Sequence, residues 1–312
     1  MKKYIGKRLL QLIPIILGIT LLSFTLMQTA AGDAVDALYD NASGGVSEAI
    51  KAQKREELGL DQPFIVQYTS WLGGVISGNM GVSYISNKPV FETFVSKLPA
   101  TMLLTLTSIV LTVLISIPLG IVSAVRHNRF TDYLIRFFSF IGNSLPGFFV
   151  SLLLIYFFAL KIKLFPVMGS GGWKSIVLPT LTLAIAMSSK YTRQVRTTVL
   201  EELNKDYVMG ARARGIREPV VLYASVLKAA MLTIITLLAL SIGSLLGGTA
   251  IIESIFMWDG VGKLAVDSIM MRDYPMIQAY VIWMALIYVG INLATDILYH
   301  YLDPRIRLEQ EA

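Results

Sequence analysis

Cysteine is absent from this 312-residue chain, and histidine occurs only at His127 and His300. No disulfide framework, thiolate metal site or cysteine nucleophile is available. Two isolated imidazoles are too few for a zinc centre, so no metal site and no cofactor are expected. Charge is scarce as well. Asp, Glu, Lys and Arg make up 15% of the residues, against about 25% in an ordinary soluble domain. No GxxxxGKS or GxxxxGKT loop occurs, so the chain has no phosphate cradle of its own. No chain of carboxylates runs through its apolar stretches to relay protons. Any energy for work must therefore come from a partner. What is abundant is apolar side chains, 54% of the total, with a mean hydropathy of +0.63. Lipid is the solvent this composition suits. The net charge of +6 is read as lysine and arginine on the inner face of a membrane, not as contacts to nucleic acid.

A membrane helix needs about 20 mostly apolar residues. Six stretches qualify, at 9–29, 99–125, 134–160, 176–192, 229–250 and 279–301. The expected fold is all-α, a polytopic membrane protein with six transmembrane helices. The first stretch follows Lys2, Lys3, Lys7 and Arg8 and resembles a signal peptide, but its apolar run is too long, so it is read as a retained anchor. With the N-terminus in the cytoplasm, 17 basic residues fall on inner segments and 10 on outer ones. Acidic residues run the other way, eight inside and 12 outside. That asymmetry places both termini in the cytoplasm.

The chain divides accordingly into an N-terminal segment and first span (1–29), an outer cap (30–98), a core (99–301) with an inner loop at 190–228, and a cytoplasmic tail (302–312). In the cap, residues 47–58 read as a short amphipathic helix capped by Ser47 and stopped by Gly59 and Pro63. The inner loop reads as two helices. One continues from the fourth span. The other is DYVMGARARGI, with Asp206 as its N-cap. Ala211, Ala213 and Gly215 leave one side of it nearly flat. Two readings fit: a helix lying on headgroups through Arg212, Arg214 and Arg217, or one that enters a groove on a partner protein. Residues 251–278 read as an outer segment with a tight turn at Gly260 and Gly262 and a short helix, LAVDSIMM.

Interruptions mark the spans expected to line a path. Pro118 and Gly120 break the second span, and Pro146 kinks the third beside Asn143 and Ser144. Gly243 and Gly247 in the fifth have the spacing of close helix packing. These features serve packing, or they shape a polar, uncharged lining made by Asn143, Ser144, Ser241, Ser244 and Asn292. Glu253 and Asp296 sit near the two ends of their spans, where charge reaches the interface cheaply.

Taken together, the motifs resemble bacterial ABC importer permeases of the dipeptide, oligopeptide and nickel branch. The stretch YVMGARARGIREPVVLYASVLKAA is similar to their coupling segment, the EAA loop. Its glycine matches Gly215 and its last alanine matches Ala211, while Met209 and Gly210 replace its glutamate and first alanine. ELGLDQPFIVQYTSWL, IIESIFMWDGVGKLAV, RDYPMIQAY and LDPRIR are similar to the same branch, which usually has proline where Asp259 stands. The resemblance implies a transport subunit without catalysis, in a bacterial inner membrane. It implies a homologous second permease, two ATP-binding cassette ATPase subunits and an extracytoplasmic substrate-binding protein as partners, beside the lipid bilayer. It implies that Tyr207, Gly210, Ala211, Arg212, Ala213 and Gly215 form the ATPase-coupling element. FPVMGSGGWKSIVLP and GSLLGGTAIIESIF are more similar to nickel permeases. That implies nickel as cargo, hydrated or chelated since the spans lack imidazole and thiolate, with di- or oligopeptides as the alternative.

Two other classes fit less well. A secondary transporter would show an inverted repeat between its halves, and none is visible. An intramembrane enzyme would need a nucleophile and base at depth, and neither histidine has such a partner. The topology has a direct test. A cysteine introduced at Ser47 is expected to react with an impermeant maleimide in intact cells, and one at Thr198 to stay unlabelled. The reverse pattern would invert the assignment.

Overall fold

The computed structural model describes residues 2–29, 33–39, 47–169 and 172–302. Among them secondary structure is helical, apart from one isolated antiparallel bridge between Val82 and Pro89. In chain order the helices are α1 (Lys2–Thr29), α2 (Ala34–Tyr39), α3 (Glu48–Glu57), α4 (Phe64–Ile76), α5 (Val90–Val125), α6 (Phe130–Ser144), α7 (Gly147–Leu154), α8 (Val177–Leu203), α9 (Asp206–Ala213), α10 (Glu218–Val220), α11 (Leu227–Ile255), α12 (Val261–Met270) and α13 (Tyr274–Leu302). Residues 1–101 and 259–290 form one compact unit, and 102–258 with 291–312 a second.

The first unit includes the segment expected to form a cap. Phe24 of α1 packs edge-on against Phe64 and Tyr68 of α4, and Thr20 meets the Tyr68 hydroxyl at 3.1 Å. The loop before α5 is tied to the start of α13 by Asp273, which is buried. Its carboxylate accepts from Ser83 Oγ at 2.5 Å and from the Tyr84 backbone N–H at 3.0 Å. Lys97 pairs with Asp259, at the position where proline was the norm. Ser47 precedes α3 as expected but makes no side-chain cap bond, and Gly59 follows α3 with φ of 67°. The turn before α12 differs from expectation. Gly260 is its N-cap and Gly262 already lies inside the helix, buried.

The second unit is built around α8, which packs against α6, α7 and α11. Gly120 on α5 lies close against it. A Cβ there would stand 2.6 Å from the Val195 side chain and 3.0 Å from the Thr192 carbonyl. Gly142 on α6 lies equally tight, with a Cβ position 2.1 Å from Ser189 Oγ. Without a hydrophobic drive between helices in lipid, such small residues permit the van der Waals contact that holds a bundle.

Several expectations about the spans change. Pro118 and Gly120 do not break α5, which runs unbroken from Val90 to Val125. A proline inside a membrane helix is tolerated when neighbouring groups re-satisfy the freed carbonyl. The fifth span is likewise continuous within α11, although a π-helical stretch, Val221–Val226, precedes it. At Pro146 the kink becomes a full break, with α6 and the helix Gly147–Lys161 bent by 101°. Leu145, just before the proline, is extended at ψ 129°, as the proline ring requires of its predecessor.

Among the described residues three helices are long and apolar enough to cross a membrane: Val90–Val125, Glu218–Ala239 and Tyr274–Thr295. The bent pair Phe130–Ser144 with Gly147–Lys161 is a fourth if it counts as one span. The apolar part of α1 is shorter, Ile13–Met27. The fourth expected span lies on α8, which buries Thr180, Thr182, Ser188, Ser189 and Thr192. A helix surrounded by protein has no need to be apolar all round, so its hydropathy understates its depth. Glu253 is fully buried at the end of α11, not turned out to an interface. The Asp296 side chain and residues 303–312 lie outside what is described. Thr198 is buried and would resist labelling on either side of a membrane. Its exposed neighbour Thr197 is the better reporter.

The packing predicts which glycines matter. Gly120→Ala is expected to lower the melting temperature of the detergent-solubilised protein, since overpacking costs about 1–3 kcal/mol. Gly18→Ala on α1, with nothing within 4 Å of the new methyl, is expected to leave it unchanged or raise it slightly. Equal effects of the two would show that α5 does not lie this close to α8.

Candidate functional site

The loop over 190–228 forms the two helices expected. α8 carries on to Leu203, and α9 follows after a short turn. Lys205, not Asp206, is the N-cap, and Asp206 opens the first turn, where a carboxylate faces the positive end of the helix dipole. The C-terminus is closed by Gly215 at φ 75°. Its N–H donates to the Arg212 carbonyl at 2.9 Å and the Ile216 N–H to the Ala211 carbonyl at 3.2 Å. This is the double bond pattern of a Schellman cap, which favours glycine because the left-handed conformation penalises a Cβ. Gly215 is thus required by the backbone first of all.

Val208 and Ala211, three residues apart on α9, are both buried. They join Ala124, Val195, Val199, Val221 and Val226 in one apolar cluster. Ala211 therefore faces its own protein, which removes it from the surface a partner could touch. Tyr207, Gly210, Arg212, Ala213 and Gly215 are exposed. Arg212 donates to both oxygens of Glu218 at 2.6 and 3.2 Å, and the Tyr207 hydroxyl donates to Glu202 at 2.9 Å. Partial desolvation of the hydroxyl, its hydrogen bond to Glu202 and the Glu202 charge push the Tyr207 phenol up to about 12 although the ring is exposed, so it remains a donor. Two of the polar groups on this surface are thus held in place before any partner arrives. Gly210 and Gly215 have nothing within 4 Å of a Cβ position among the described residues, and the Arg214 guanidinium donates to the Gly210 carbonyl at 3.2 Å.

Charge counting treated Asp132 and Arg196 only as inner-side residues, and they prove to be partners. Asp132 is wholly buried at the start of α6. Arg196 on α8 donates to both of its oxygens, at 2.7 and 2.8 Å. Ser123 Oγ adds a bond at 2.5 Å and the Asn128 backbone N–H one at 3.0 Å. The available signal was a single acidic residue within an otherwise basic inner segment.

Of the expected path residues, Asn143 and Ser144 lie exposed at the α6–α7 break, the Ser144 hydroxyl donating to the Phe140 carbonyl at 2.8 Å. Asn292 on α13 buries an amide oxygen that has no hydrogen-bond partner among the described residues. The side chains of Ser241 and Ser244 lie outside those described. Among the described residues, nothing gathers Asn143, Ser144 and Asn292 into one site.

Comparison with known proteins agrees along the whole chain. Residues 116–308 match the family described as "Binding-protein-dependent transport system inner membrane component", and residues 1–105 match its N-terminal companion. The oligopeptide transport system permease protein AppB of Bacillus subtilis is 41% identical over 320 residues, covering 98% of this chain and 99% of its own. The glutathione transport system permease protein GsiC of Salmonella paratyphi A is 38% identical with the same coverage, and that of Escherichia coli K12 is 36% identical. In fold, an inward-facing structure of the MetNI methionine ABC transporter aligns with a TM-score of 0.57 at 16% identity, over 68% of this chain and 96% of that one. The chain belongs to the binding-protein-dependent inner membrane components, the permease subunits of ABC importers.

Proposed function

We propose that the chain forms half of the translocation path of a peptide importer. In this reading it has six spans and cytoplasmic termini, and a homologous permease supplies the other half. Two ATPase subunits dock below and a binding protein delivers cargo from outside. The observation that carries the substrate class is the full-length similarity to permeases named for oligopeptides and glutathione. It favours peptides over nickel, which rested on two short stretches. The chemistry of the path residues agrees with either cargo. Asn143, Ser144, Asn292, Ser241 and Ser244 are amides and hydroxyls, suited to a passing peptide group as well as to a hydrated ion. In the reconstituted complex, uptake of a labelled tripeptide with no nickel-dependent uptake is the expected result. Nickel uptake without peptide uptake would reverse the assignment.

The coupling element in this reading is the exposed strip of α9, with Tyr207, Gly210, Arg212, Ala213 and Gly215 toward an ATPase cleft and Ala211 holding the helix to its own core. Gly210→Glu tests it better than a change at Gly215, because Gly210 is helical and unstrained while Gly215 is left-handed. The variant is expected to insert and to pair with its partner permease, but to lose ATPase stimulation by loaded binding protein. Normal stimulation would mean that α9 lies on lipid.

A further inference from the structure

In the buried pair Asp132–Arg196 the carboxylate is wholly enclosed, so Asp132 itself touches no partner. Nor does stability explain it: a buried ion pair is often no better than apolar residues of similar volume, since desolvation offsets the attraction. What such a pair does supply is a fixed geometry. The planar guanidinium fork meets both carboxylate oxygens at once, which sets distance and orientation together.

The position of the pair shows what is being fixed. Ser123 is near the end of α5, Asn128 is in the turn that follows, Asp132 opens α6 and Arg196 lies in the C-terminal half of α8. One carboxylate therefore ties three segments to α8. One turn earlier on α8, Thr192 and Val195 touch Gly120 of α5. One turn later, Val199 shares the apolar cluster with Val208 and Ala211 of α9. At the other end of α6, Gly142 lies against Ser189, and the break at Leu145–Pro146 follows directly. α6 is thus pinned to α8 at both its ends, and α8 is packed to α9.

We propose that Asp132 and Arg196 are positioning residues for transport: they lock the start of α6 to α8, so that a displacement of α9 is carried as a rigid body to the α6–α7 break beside Asn143 and Ser144. The inference rests on the reading of α9 as the coupling element. Without the pair, α6 would still be packed on α8 through Gly142, but its first turns could slip. ATP would then be hydrolysed with less movement at the break.

The test uses the reconstituted complex with its binding protein and measures peptide imported per ATP hydrolysed. Arg196→Lys keeps the charge and so the assembly, but replaces the fork with a single-point ammonium. Asp132→Leu with Arg196→Met removes the pair without leaving a buried charge, and apolar replacements of this kind are tolerated. Both are expected to retain binding-protein-stimulated ATPase activity. The ratio of import to hydrolysis is expected to fall, by about tenfold in the double variant, within the range seen for residues along coupling routes. Asp132→Ala, which strands the arginine, is expected to fail at assembly instead. An unchanged ratio in assembled Arg196→Lys overturns the proposal, whether or not the double variant assembles. A complex in which Gly210→Glu leaves ATPase stimulation intact would refute the coupling reading itself, a separate failure.

Discussion

Two missing Cβ atoms hold the second unit together. Gly120 and Gly142 let α5 and α6 approach α8 closely: a Cβ at either would stand within 3 Å of an α8 side chain, so something would have to shift. Once α8 is enclosed it can carry Ser188, Ser189 and Thr192 on buried faces. It can also place Arg196 against a wholly enclosed carboxylate. Lipid offers no hydrophobic reward for bringing two apolar helices together, so association depends on close van der Waals fit and on polar bonds between helices. The α5–α6–α8 group uses both within about two turns.

Much of this was legible in the sequence, and the failures share a cause. The helical inner loop, the short α9, the terminating glycine and the disruption at Pro146 each have a local reason, written in residues next to one another. Gly215 shows how firm such a reason is, since its left-handed backbone closes the helix whatever lies around it. The expected break of α5 at Pro118 failed because the consequence of a proline in a membrane helix depends on its neighbours. Ala211 looked like open surface because small residues suit both a bare face and a tight core, and only the fold shows which. Asp132 and Arg196 are 64 residues apart, and nothing local joins them.

The choice of cargo shows a different limit. The residues expected along the path are neutral amides and hydroxyls, and such groups serve a hydrated ion and a peptide alike. No reading of their chemistry separates the two. Similarity in two short stretches pointed to nickel, whereas identity spread over nearly the whole chain points to peptides. The longer comparison is the sounder one. It averages over cap, core and coupling loop together, while a short stretch near a turn answers mainly to the local backbone.

If α6, α8 and α9 move as one body, compliance is needed elsewhere, and the chain places irregular backbone at the borders of that group. Leu145 and Pro146 separate α6 from α7 with extended conformations. Beyond α7 the helix widens into a π-helical stretch, Ile155–Lys161, and another, Val221–Val226, stands between α10 and α11. Wide turns of this kind are weaker than regular helix and cluster at functional positions. Their placement is informative because the helices between them are regular. α6, α8 and α9 carry the fork, the glycine contacts and the apolar cluster, and none of the three contains a proline that would let it bend within that region apart from Pro179 in the first turn of α8. Stiffness is thus concentrated where the helices are cross-linked by packing and charge. Irregular backbone stands at the break that adjoins Asn143 and Ser144, and at the wide turn from which α11 departs.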